Sequence, residues 1–378
     1  MTVEGQELLA LTERFVSERI APRALEIDQD DVFPWDILKA YSDLGYLSMM
    51  VPEEHGGAAA DLQTLCQIIE IIASVSPAAA TILLGHTTAV IALLMAAPPA
   101  ILARTLFCEP DPPRFLAIGI TEPDAGSDVQ AVRTKAIQTD KGWILNGHKR
   151  FVTNGEAAQA YLILARTGKL SERPRHLSLF LVEREAKGLG IGRAERKIGL
   201  HGSSTTDVIL DDVRLGADSL VGEIGGGFAT IMNTLERTRV VVAMIGVGIA
   251  HGALDAAVSY ARKREAFGRP IGAFQGLQFL LADMATRVEA ARSLTQQAIR
   301  RITKGSDDAT ATAAMAKMFA TDMALMVAAD AVQVLGGYGC IEDYGVERFL
   351  RDAKITQVYE GTNQIQRLIV AQSLLGHL

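Results

Sequence analysis

The stretch RVVVAMIGVGIAHGALDAAVSYARKRE, residues 239–265, decides the fold class of this chain. It begins with an apolar run followed by Gly246 and Gly248, like the strand and glycine loop of a dinucleotide-binding βαβ unit. The third glycine of that fingerprint would fall at position 251, which is His251. A βαβ unit also needs a second parallel strand, but residues 273–293 keep apolar side chains at helical spacing. We therefore interpret 239–265 as a helix whose glycines let neighbouring helices approach.

Working outward, residues 1–113 also show the period of helices, and we take them as an amino-terminal helical domain. A turn at 51–57 separates two helical segments, and the cluster CEPDPP at 108–113 ends the pattern. From 223 to 378 the helical period returns, with many alanines that suit close helix packing. We expect breaks in this last domain near 268–270, 304–306 and 336–345.

Between these helical parts, residues 114–222 change to a period of two and predict a small β domain. Asn146-Gly147 and Asn154-Gly155 are dipeptides favoured in tight hairpin turns, and we expect turns there. Residues 177–182 predict a strand that is apolar on both faces. Residues 208–215 predict another strand, with a bulge at the paired aspartates 211 and 212.

Composition excludes several classes of protein. The chain has 378 residues, 49% of them hydrophobic, and a formal net charge of −7, which argues against general nucleic-acid binding. Its three cysteines, Cys66, Cys108 and Cys340, are widely spaced, and neither they nor the histidines have metal-ligand spacing. We therefore expect reduced thiols and no metal site.

The amino terminus has the features of neither a signal peptide nor a transit peptide, so we expect a cytoplasmic protein of bacterial type. The most apolar runs, such as 78–103, contain His86, Pro98 and Pro99 or end at Arg104. We expect these residues to interrupt them and therefore predict no membrane span.

The segment QVYEGTNQIQ, residues 357–366, carries one carboxylate, Glu360, between an aromatic residue and the flexible Gly361. Thr362 is placed to cap a following helix. Glu360 is either a surface acid in a turn or a base held on a loop by rigid neighbours. Two further segments offer hydroxyl and aromatic groups: TEPDAGSD at 121–128 and RFVTNG at 150–155. Taken singly, each is also an ordinary turn or strand end.

Together these segments make the chain resemble the acyl-CoA dehydrogenase family of flavoproteins. VPEEHGG, TEPDAGSD, RFVTNG, REAFGRPIGAFQ, VQVLGGYG and YEGTNQIQR occur in the family's order and span essentially the whole chain. The resemblance implies an α+β multidomain fold with an amino-terminal helical domain, a middle β-barrel or β-sandwich domain and a carboxy-terminal four-helix bundle. It also implies a homo-oligomer, usually a tetramer built from two dimers.

The resemblance further implies that FAD lies between the β domain and the carboxy-terminal helices. The residues that would contact the flavin or its diphosphate are Ile118, Ile120, Thr121, Ser127, Phe151, Thr153, Thr362 and Gln364. The residues that would reach the adenine end of a neighbouring subunit's FAD are Arg264, Phe267, Gln275, Gln333, Gly336 and Gly337. Arg264 could equally be a solvated helix charge, and the two glycines a helix cap.

By the same resemblance, Glu360 would remove the α-proton of an acyl-CoA thioester while a hydride leaves Cβ for flavin N5, giving the trans-2-enoyl-CoA. Some members carry the base on another helix, at a position occupied here by Thr238, which cannot serve. Ser127 and Gly361 would contact the substrate. Glu236 and Arg239 match a pair near its CoA part, although Arg239 could simply pair with Glu236.

The resemblance weakens at three places. Residues 96–115 depart from the family's usual polar helix, Phe151 stands where many members have Trp, and Asp124 where many have Gly. The acyl group, and whether CoA or a carrier protein holds it, therefore stay open. An electron-transferring flavoprotein is the expected acceptor. The alternatives are a carrier-protein dehydrogenase, a related flavoprotein monooxygenase or oxidase, and a binding protein without catalysis.

Overall fold

The amino-terminal part of the chain is helical, as its periodicity predicts. The computed structural model describes residues 3–107 and 114–376. The helices in its first part are α1 Val3–Phe15, α2 Ala24–Asp30, α3 Trp35–Asp43, α4 Leu62–Ala73, α5 Pro77–Ala96 and α6 Pro99–Thr105. Asp61 and Ser76 cap α4 and α5 by accepting hydrogen bonds from the backbone N–H groups of Thr64 and Ala79. Cys108 and the predicted boundary at 113 lie outside the described residues.

An eight-stranded sheet follows the helices. Its strands are β1 Leu116–Gly119, β2 Lys135–Thr139, β3 Gly142–Thr153, β4 Ala160–Arg166, β5 Leu177–Glu183, β6 Leu189–Ile191, β7 Thr205–Leu215 and β8 Leu220–Val221. The order across the sheet is β6-β7-β3-β2-β4-β5-β8, and β1 pairs with β4 in parallel. Every residue of β5 before Glu183 is buried, which confirms a strand that is apolar on both faces.

The two faces of β5 enter two different cores. Leu177, Leu179 and Leu181 pack with apolar residues of α5 such as Leu93. Phe180 packs on the other side, with side chains from β3 and β7. The sheet therefore encloses one core on its inner face, and the amino-terminal helices pack against its outer face.

The carboxy-terminal part returns to helices and forms the bundle that the resemblance implies. Its elements are α7 Gly227–Lys263, the short hairpin of β9 Glu265–Ala266 and β10 Arg269–Pro270, α8 Gln275–Lys304, α9 Ala309–Leu335, α10 Glu347–Thr356 and α11 Asn363–Leu375. The short helices α10 and α11 both pack on α9, beside the long α7 and α8. The predicted breaks near 268–270, 304–306 and 336–345 are confirmed.

Helix α7 is the centre of the largest core and contacts α4, α5, α8, α9 and α10. It runs without a break through the stretch that imitates a dinucleotide fingerprint. A Cβ atom on Gly252 would collide with the backbone carbonyl oxygen of Ser74, and one on Gly248 with that of Glu70. These glycines therefore allow close helix approach, as predicted.

The prediction of turns at the two Asn-Gly dipeptides is wrong for the first and confirmed for the second. Asn146-Gly147 lies inside β3, and a Cβ atom on Gly147 would collide with the Thr134 side chain. Asn154-Gly155 forms a turn directly after β3, with φ +65° at Asn154, but this turn does not join paired strands, since β3 pairs with β2 and β7. The bulge expected in β7 is present, because Leu145 pairs with Val213 whereas Gly147 pairs with Leu210.

The expectation that His86 interrupts the apolar run of 78–103 is also wrong. Helix α5 continues through His86, whose imidazole is buried and hydrogen-bonded. Three segments, Pro77–Ala96, Gly227–Lys263 and Ala309–Cys340, are long and apolar enough to cross a membrane by length and composition alone. Between 50% and 83% of their most apolar windows is buried inside the protein, so packing within the fold accounts for much of this composition.

Candidate active site

The loop between α10 and α11 carries Glu360, whose backbone has an uncommon conformation. Glu360 has φ +55° and Gly361 has φ +90°, both in the left-handed region. For a residue with a side chain this conformation costs roughly 1–2 kcal/mol, so the surrounding contacts must impose it. Helix α11 then starts at Thr362, whose hydroxyl oxygen accepts a hydrogen bond of 3.3 Å from the Ile365 N–H. The predicted helix cap is therefore confirmed.

The Glu360 carboxylate faces α7. The Thr238 hydroxyl group donates a hydrogen bond of 2.8 Å to Oε2 of Glu360. Burial raises the pKa of Glu360, and the Thr238 hydrogen bond together with the charges of Arg239 and Lys317 act in the opposite direction. Thr238, which the sequence excluded as a base, thus belongs to the immediate surroundings of Glu360. The surface-acid interpretation does not fit these contacts.

Arg239 is buried on α7 and interacts electrostatically with two carboxylates. Burial lowers the pKa of Arg239, whereas Glu360 first and Glu236 second raise it. The Nε atom of Arg239 is buried without a hydrogen-bond partner in the described parts of the chain. Glu236 instead accepts a hydrogen bond from the Thr310 hydroxyl group. A simple ion pair with Glu236 therefore does not account for Arg239. The role of Arg239 in substrate binding stays a prediction.

Sequence reasoning missed a buried lysine beside this loop. Lys317, on α9, is fully buried and donates hydrogen bonds of 2.9 Å to the Gly361 carbonyl oxygen and to Oδ1 of Asn363. Its position in an alanine-rich helix gives no local pattern that would reveal it. Its number in the sequence is far from that of Glu360, so only the fold brings the two together.

The loop after β1 contains several of the residues expected near FAD. Lys149 of β3 is fully buried and donates hydrogen bonds to the Ile120 carbonyl oxygen, at 3.1 Å, and to the Glu122 carboxylate, at 2.7 Å. Glu122 also accepts hydrogen bonds from the backbone N–H groups of Arg133 and Thr134. Burial acts to raise the pKa of Glu122, but Lys149 and the other donors outweigh it and the pKa is lowered.

This buried ion pair fixes the loop whose exposed surface carries the predicted contacts. Ile118, Ile120 and Thr121 are partly buried, and Ser127 is exposed. Thr121 accepts a hydrogen bond through its carbonyl oxygen from the Arg150 N–H. This hydrogen bond therefore joins the end of β1 to the end of β3, the two segments that were both predicted to contact the flavin.

The end of β3 presents an aromatic ring to solvent. Phe151 has φ +56° and is 58% exposed, and the Arg150 guanidinium lies 4.8 Å from its ring centroid. Thr153 is partly buried and ends the strand. Next to it, Asn154 donates a hydrogen bond of 2.9 Å to the Ile82 carbonyl oxygen of α5, which fixes this corner against the helices.

The residues expected to reach a neighbour's cofactor form a separate group. Arg264, Gly336 and Gly337 line a surface depression of about 530 Å³ with Tyr260 and Tyr338. Three other residues of the prediction are exposed nearby in sequence: Phe267, Gln275 and Gln333. Gly336 has φ +63° and ends α9, so its backbone has the conformation of a helix cap, as the alternative interpretation expected. Its surface nevertheless remains accessible to a ligand in the depression.

The chemistry of these groups fits a flavin dinucleotide. The exposed Phe151 ring offers a flat apolar face, and Thr121, Ser127 and Thr153 offer hydroxyl groups. The amino-terminal turn of α11, which carries Gln364, suits negative charge. Each predicted contact therefore lies on accessible or partly accessible surface, and their individual roles stay predictions.

Comparison with known proteins agrees with this arrangement. Models of the three acyl-CoA dehydrogenase domains match the chain: the N-terminal domain at residues 2–106, the middle domain at 117–213 and the C-terminal domain at 225–375. The cyclohex-1-ene-1-carbonyl-CoA dehydrogenase of Syntrophus aciditrophicus is 39% identical over 382 residues, which cover 99% of this chain and 91% of that protein.

Solved structures agree as well. Butyryl-CoA dehydrogenase from Megasphaera elsdenii has a TM-score of 0.95 and 35% identity, with 99% of each chain covered. A chain from work on the electron transferring flavoprotein of Acidaminococcus fermentans has a TM-score of 0.95 and 37% identity, with 100% of this chain and 99% of that one covered. The prolyl acyl carrier protein oxidase AnaB has a TM-score of 0.92 and 25% identity, with 99% and 100% covered. This chain belongs to the acyl-CoA dehydrogenase family of FAD-dependent oxidoreductases.

Proposed function

We propose that this enzyme dehydrogenates acyl-CoA thioesters between Cα and Cβ to give trans-2-enoyl-CoA products, with Glu360 as the base that removes the α-proton. The observation that carries the proposal is the Glu360 carboxylate on its left-handed loop, hydrogen-bonded to Thr238 and acted on by two buried cations. A partly buried carboxylate at a rigid hinge, next to buried cations, suits proton abstraction better than a role in solvation.

Removing an α-proton requires a carboxylate that is both ionised and basic. Burial raises the pKa of Glu360 and makes it a stronger base, while Thr238, Arg239 and Lys317 favour its ionised form. An acyl chain that fills the site excludes water and strengthens the effect of burial. These opposing influences suit a base that must be charged before the substrate arrives and must hold a proton afterwards.

The backbone of Glu360 offers a second function. Its N–H group has no hydrogen-bond partner among the residues that the structure describes. In our proposal it donates to the thioester carbonyl oxygen and stabilises the negative charge that develops there as the α-proton leaves. Base and donor then belong to one residue, so both depend on the same loop conformation.

FAD would be held by the β1 and β3 ends and by the start of α11. The residues concerned are Ile118, Ile120, Thr121, Ser127, Phe151, Thr153, Thr362 and Gln364. When bound, the flavin supplies the two-electron acceptor of the reaction. Ser127, Gly361, Glu236 and Arg239 are assigned to the substrate, with Arg239 supported by its buried, unpartnered Nε atom.

Similarity to known proteins supports a small or cyclic acyl-CoA as substrate and an electron-transferring flavoprotein as acceptor. One relative is named for a cyclohexene-carbonyl-CoA, one structural neighbour for butyryl-CoA, and another comes from work on an electron transferring flavoprotein. The alternative is an acyl group on a carrier protein, which the likeness to a prolyl carrier-protein oxidase supports at lower identity. A panel of anaerobic additions of acyl-CoA and acyl-carrier-protein thioesters, followed by flavin bleaching, distinguishes the two.

The central test is Glu360→Gln. The amide has nearly the shape of the carboxylate but cannot take a proton, so we expect FAD to stay bound and the bleaching rate to fall by about 10²–10⁴. Anaerobic stopped-flow absorbance with a thioester that bleaches the wild type measures this rate.

Glu342→Gln, an exposed acid before α10, is the matched control and should keep the wild-type rate. A Glu360→Gln rate within a few-fold of wild type, at equal FAD content, would show that Glu360 is not the base.

A further inference from the structure

Lys317 is a buried charge whose nearest acceptors are neutral. It is fully buried on α9, and no carboxylate oxygen lies within ion-pair distance of its ammonium group among the described residues. Its hydrogen bonds go to the Gly361 carbonyl oxygen and to Asn363. A side chain needed only for packing would be more stable as an apolar residue of similar volume. The ammonium group must therefore be explained by what it holds.

What it holds is the residue directly after the proposed base. The Gly361 carbonyl oxygen accepts two hydrogen bonds of 2.9 Å, one from Lys317 Nζ and one from Gln366 Nε2. This carbonyl group belongs to the Gly361–Thr362 peptide, so fixing it fixes the peptide plane directly after the two left-handed residues, Glu360 and Gly361. The left-handed conformation of Glu360 and the direction of its carboxylate depend on that plane.

The same lysine links the loop to α9 through Asn363. While Oδ1 of Asn363 accepts from Lys317, its Nδ2 donates to Asp322 at 2.7 Å and to Thr321 at 2.9 Å. Asp322 also accepts a hydrogen bond of 2.7 Å from Gln357, at the beginning of the loop. Both ends of the loop are thus attached to one helix, with Lys317 at the centre of the attachment.

Charge gives Lys317 a second effect on Glu360. The charged groups that act on Lys317 are Glu360 from the loop, Asp322 from its own helix and Arg239 from α7, and Arg367 of α11 pairs with Asp322. Burial lowers the pKa of Lys317 to about 7, while Glu360 and Asp322 raise it. Its positive charge in turn lowers the pKa of Glu360, as that of Arg239 does.

We propose that Lys317 is a positioning residue for the base: its hydrogen bonds to the Gly361 carbonyl oxygen and to Asn363 hold the backbone that directly follows Glu360, and its charge favours the ionised Glu360 carboxylate. The inference rests on the proposed function of Glu360. It assigns to Lys317 no contact with the substrate.

Three variants separate the two effects. Lys317→Met removes the hydrogen bonds and the charge, Lys317→Gln keeps an N–H donor without charge, and Lys317→Arg keeps both. Met323→Ala, on the same helix and fully buried in the main core, is the control for lost stability. Each FAD-loaded protein is followed by hydrogen exchange of segment 357–366 and by the pH dependence of anaerobic flavin bleaching.

For Lys317→Met we expect exchange in 357–366 to become at least about ten-fold faster, which is a loss of about 1.4 kcal/mol of local stability. Loss of the charge raises the Glu360 pKa. The acid limb of the pH profile, where the bleaching rate falls as Glu360 becomes protonated, should therefore move up by about one pH unit. Lys317→Gln should show the shift with less loop opening, and Lys317→Arg should restore the limb toward wild type.

Wild-type exchange and an unmoved acid limb in Lys317→Met would overturn the inference. If that variant does not fold, an unmoved limb and unchanged exchange in Lys317→Gln would do the same. Changes in Met323→Ala equal to those in Lys317→Met would also overturn it, because they would show general destabilisation. If no thioester bleaches the wild type, the proposed function fails, whereas hydrogen exchange alone still decides whether Lys317 holds the loop.

Discussion

Glu360 combines a strained backbone with a carboxylate whose pKa is raised by burial and lowered by its polar and charged neighbours. The strain of φ +55° is offset by contacts of the neighbouring residues, since Tyr359 packs against the main core and Gly361 is held by α9 and α11. The carboxylate is stabilised by a hydroxyl group rather than by a direct ion pair within the described residues. A direct ion pair would hold the charge more tightly and weaken the base. The arrangement therefore keeps Glu360 ionised without neutralising its basicity.

Thr238→Val tests this balance at the residue scale. Valine has the shape of threonine but donates no hydrogen bond, so the ionised form of Glu360 loses its closest donor and the Glu360 pKa rises. Because protonated Glu360 cannot accept the α-proton, the rate falls as pH falls through that pKa. We expect the acid limb of anaerobic flavin bleaching to move up by roughly one pH unit.

Thr238→Ser is the control, because it keeps the hydroxyl group and should keep the wild-type limb. An equal profile for Thr238→Val and Thr238→Ser would mean that this hydrogen bond does not act on the base.

The sequence predicted this site only in part. Glu360 and Thr362 stand in a local pattern, a carboxylate beside glycine and a cap before a helix, and the structure confirms the helix start. Lys317 could not be found in that way. Its partners Gly361 and Asn363 lie 44 and 46 positions away, and no periodicity connects residues on two packed helices.

At the scale of elements, His86 joins α5 to the β domain. Its Nε2–H donates a hydrogen bond of 2.8 Å to the Leu47 carbonyl oxygen, and its Nδ1 accepts one of 3.2 Å from the Leu116 N–H at the start of β1. The imidazole also stacks on Phe115, with ring centroids 5.4 Å apart. Since Nδ1 must accept, only the neutral ring fits, and burial lowers the pKa of His86 to about 4 from 6.5.

This lowered pKa predicts a loss of stability in acid. The folded state favours neutral His86, so its contribution is complete above pH 6.5 and is lost as pH falls from there to about 4. The difference between the two pKa values corresponds to about 3 kcal/mol. In His86→Gln, which does not titrate, the free energy of unfolding should fall by that much less between pH 7 and pH 4.

Urea denaturation of both proteins across this pH range measures the difference. Parallel curves for wild type and His86→Gln would contradict the assignment of the neutral ring.

Strand β3 marks where prediction of elements failed, for a physical reason. Asn-Gly favours a turn because both residues tolerate positive φ. Here Asn146 instead exchanges hydrogen bonds with Asp212 in the bulge of β7, and Gly147 is required because the Thr134 side chain occupies the place of a Cβ atom. Tertiary contacts therefore overrode the local preference. The bulge itself was predictable, because two adjacent aspartates interrupt an alternating apolar pattern.

At the scale of the whole molecule, the helix before Glu360 connects all three parts of the chain. On α10, Arg351 donates a hydrogen bond of 3.0 Å to Asp28 of α2, and Asp352 accepts one from the Leu200 N–H after β6. Asp352 is buried, and burial raises its pKa to about 6. The orientation of the Glu360 loop thus depends on the amino-terminal helices and the β domain together.

The surface of the carboxy-terminal part predicts assembly. Phe267, at the tip of the β9–β10 hairpin, is 94% exposed, and Leu374 on α11 is 74% exposed. Burying a side chain of this size is worth about 1.5–3 kcal/mol, so these residues favour contact with another copy of the chain. Arg264 and the glycines at the end of α9 lie beside the same hairpin, around the depression expected to receive a neighbour's FAD. Cofactor retention and assembly should therefore be coupled.

Phe267→Asp and Arg264→Ala test this coupling from its two sides. An aspartate at 267 places a charge where we expect a subunit contact, so this variant should dissociate and also lose FAD. Arg264→Ala should keep the oligomer but retain FAD less well, because it removes one charge that we expect to face the cofactor and leaves the expected apolar contact intact. Ile137→Asp, an exposed apolar residue on β2, is the control and should change neither property. Light scattering after gel filtration gives the mass, and the ratio of flavin to protein absorbance gives the FAD content. A Phe267→Asp monomer that holds FAD fully would show that one subunit forms the whole cofactor site.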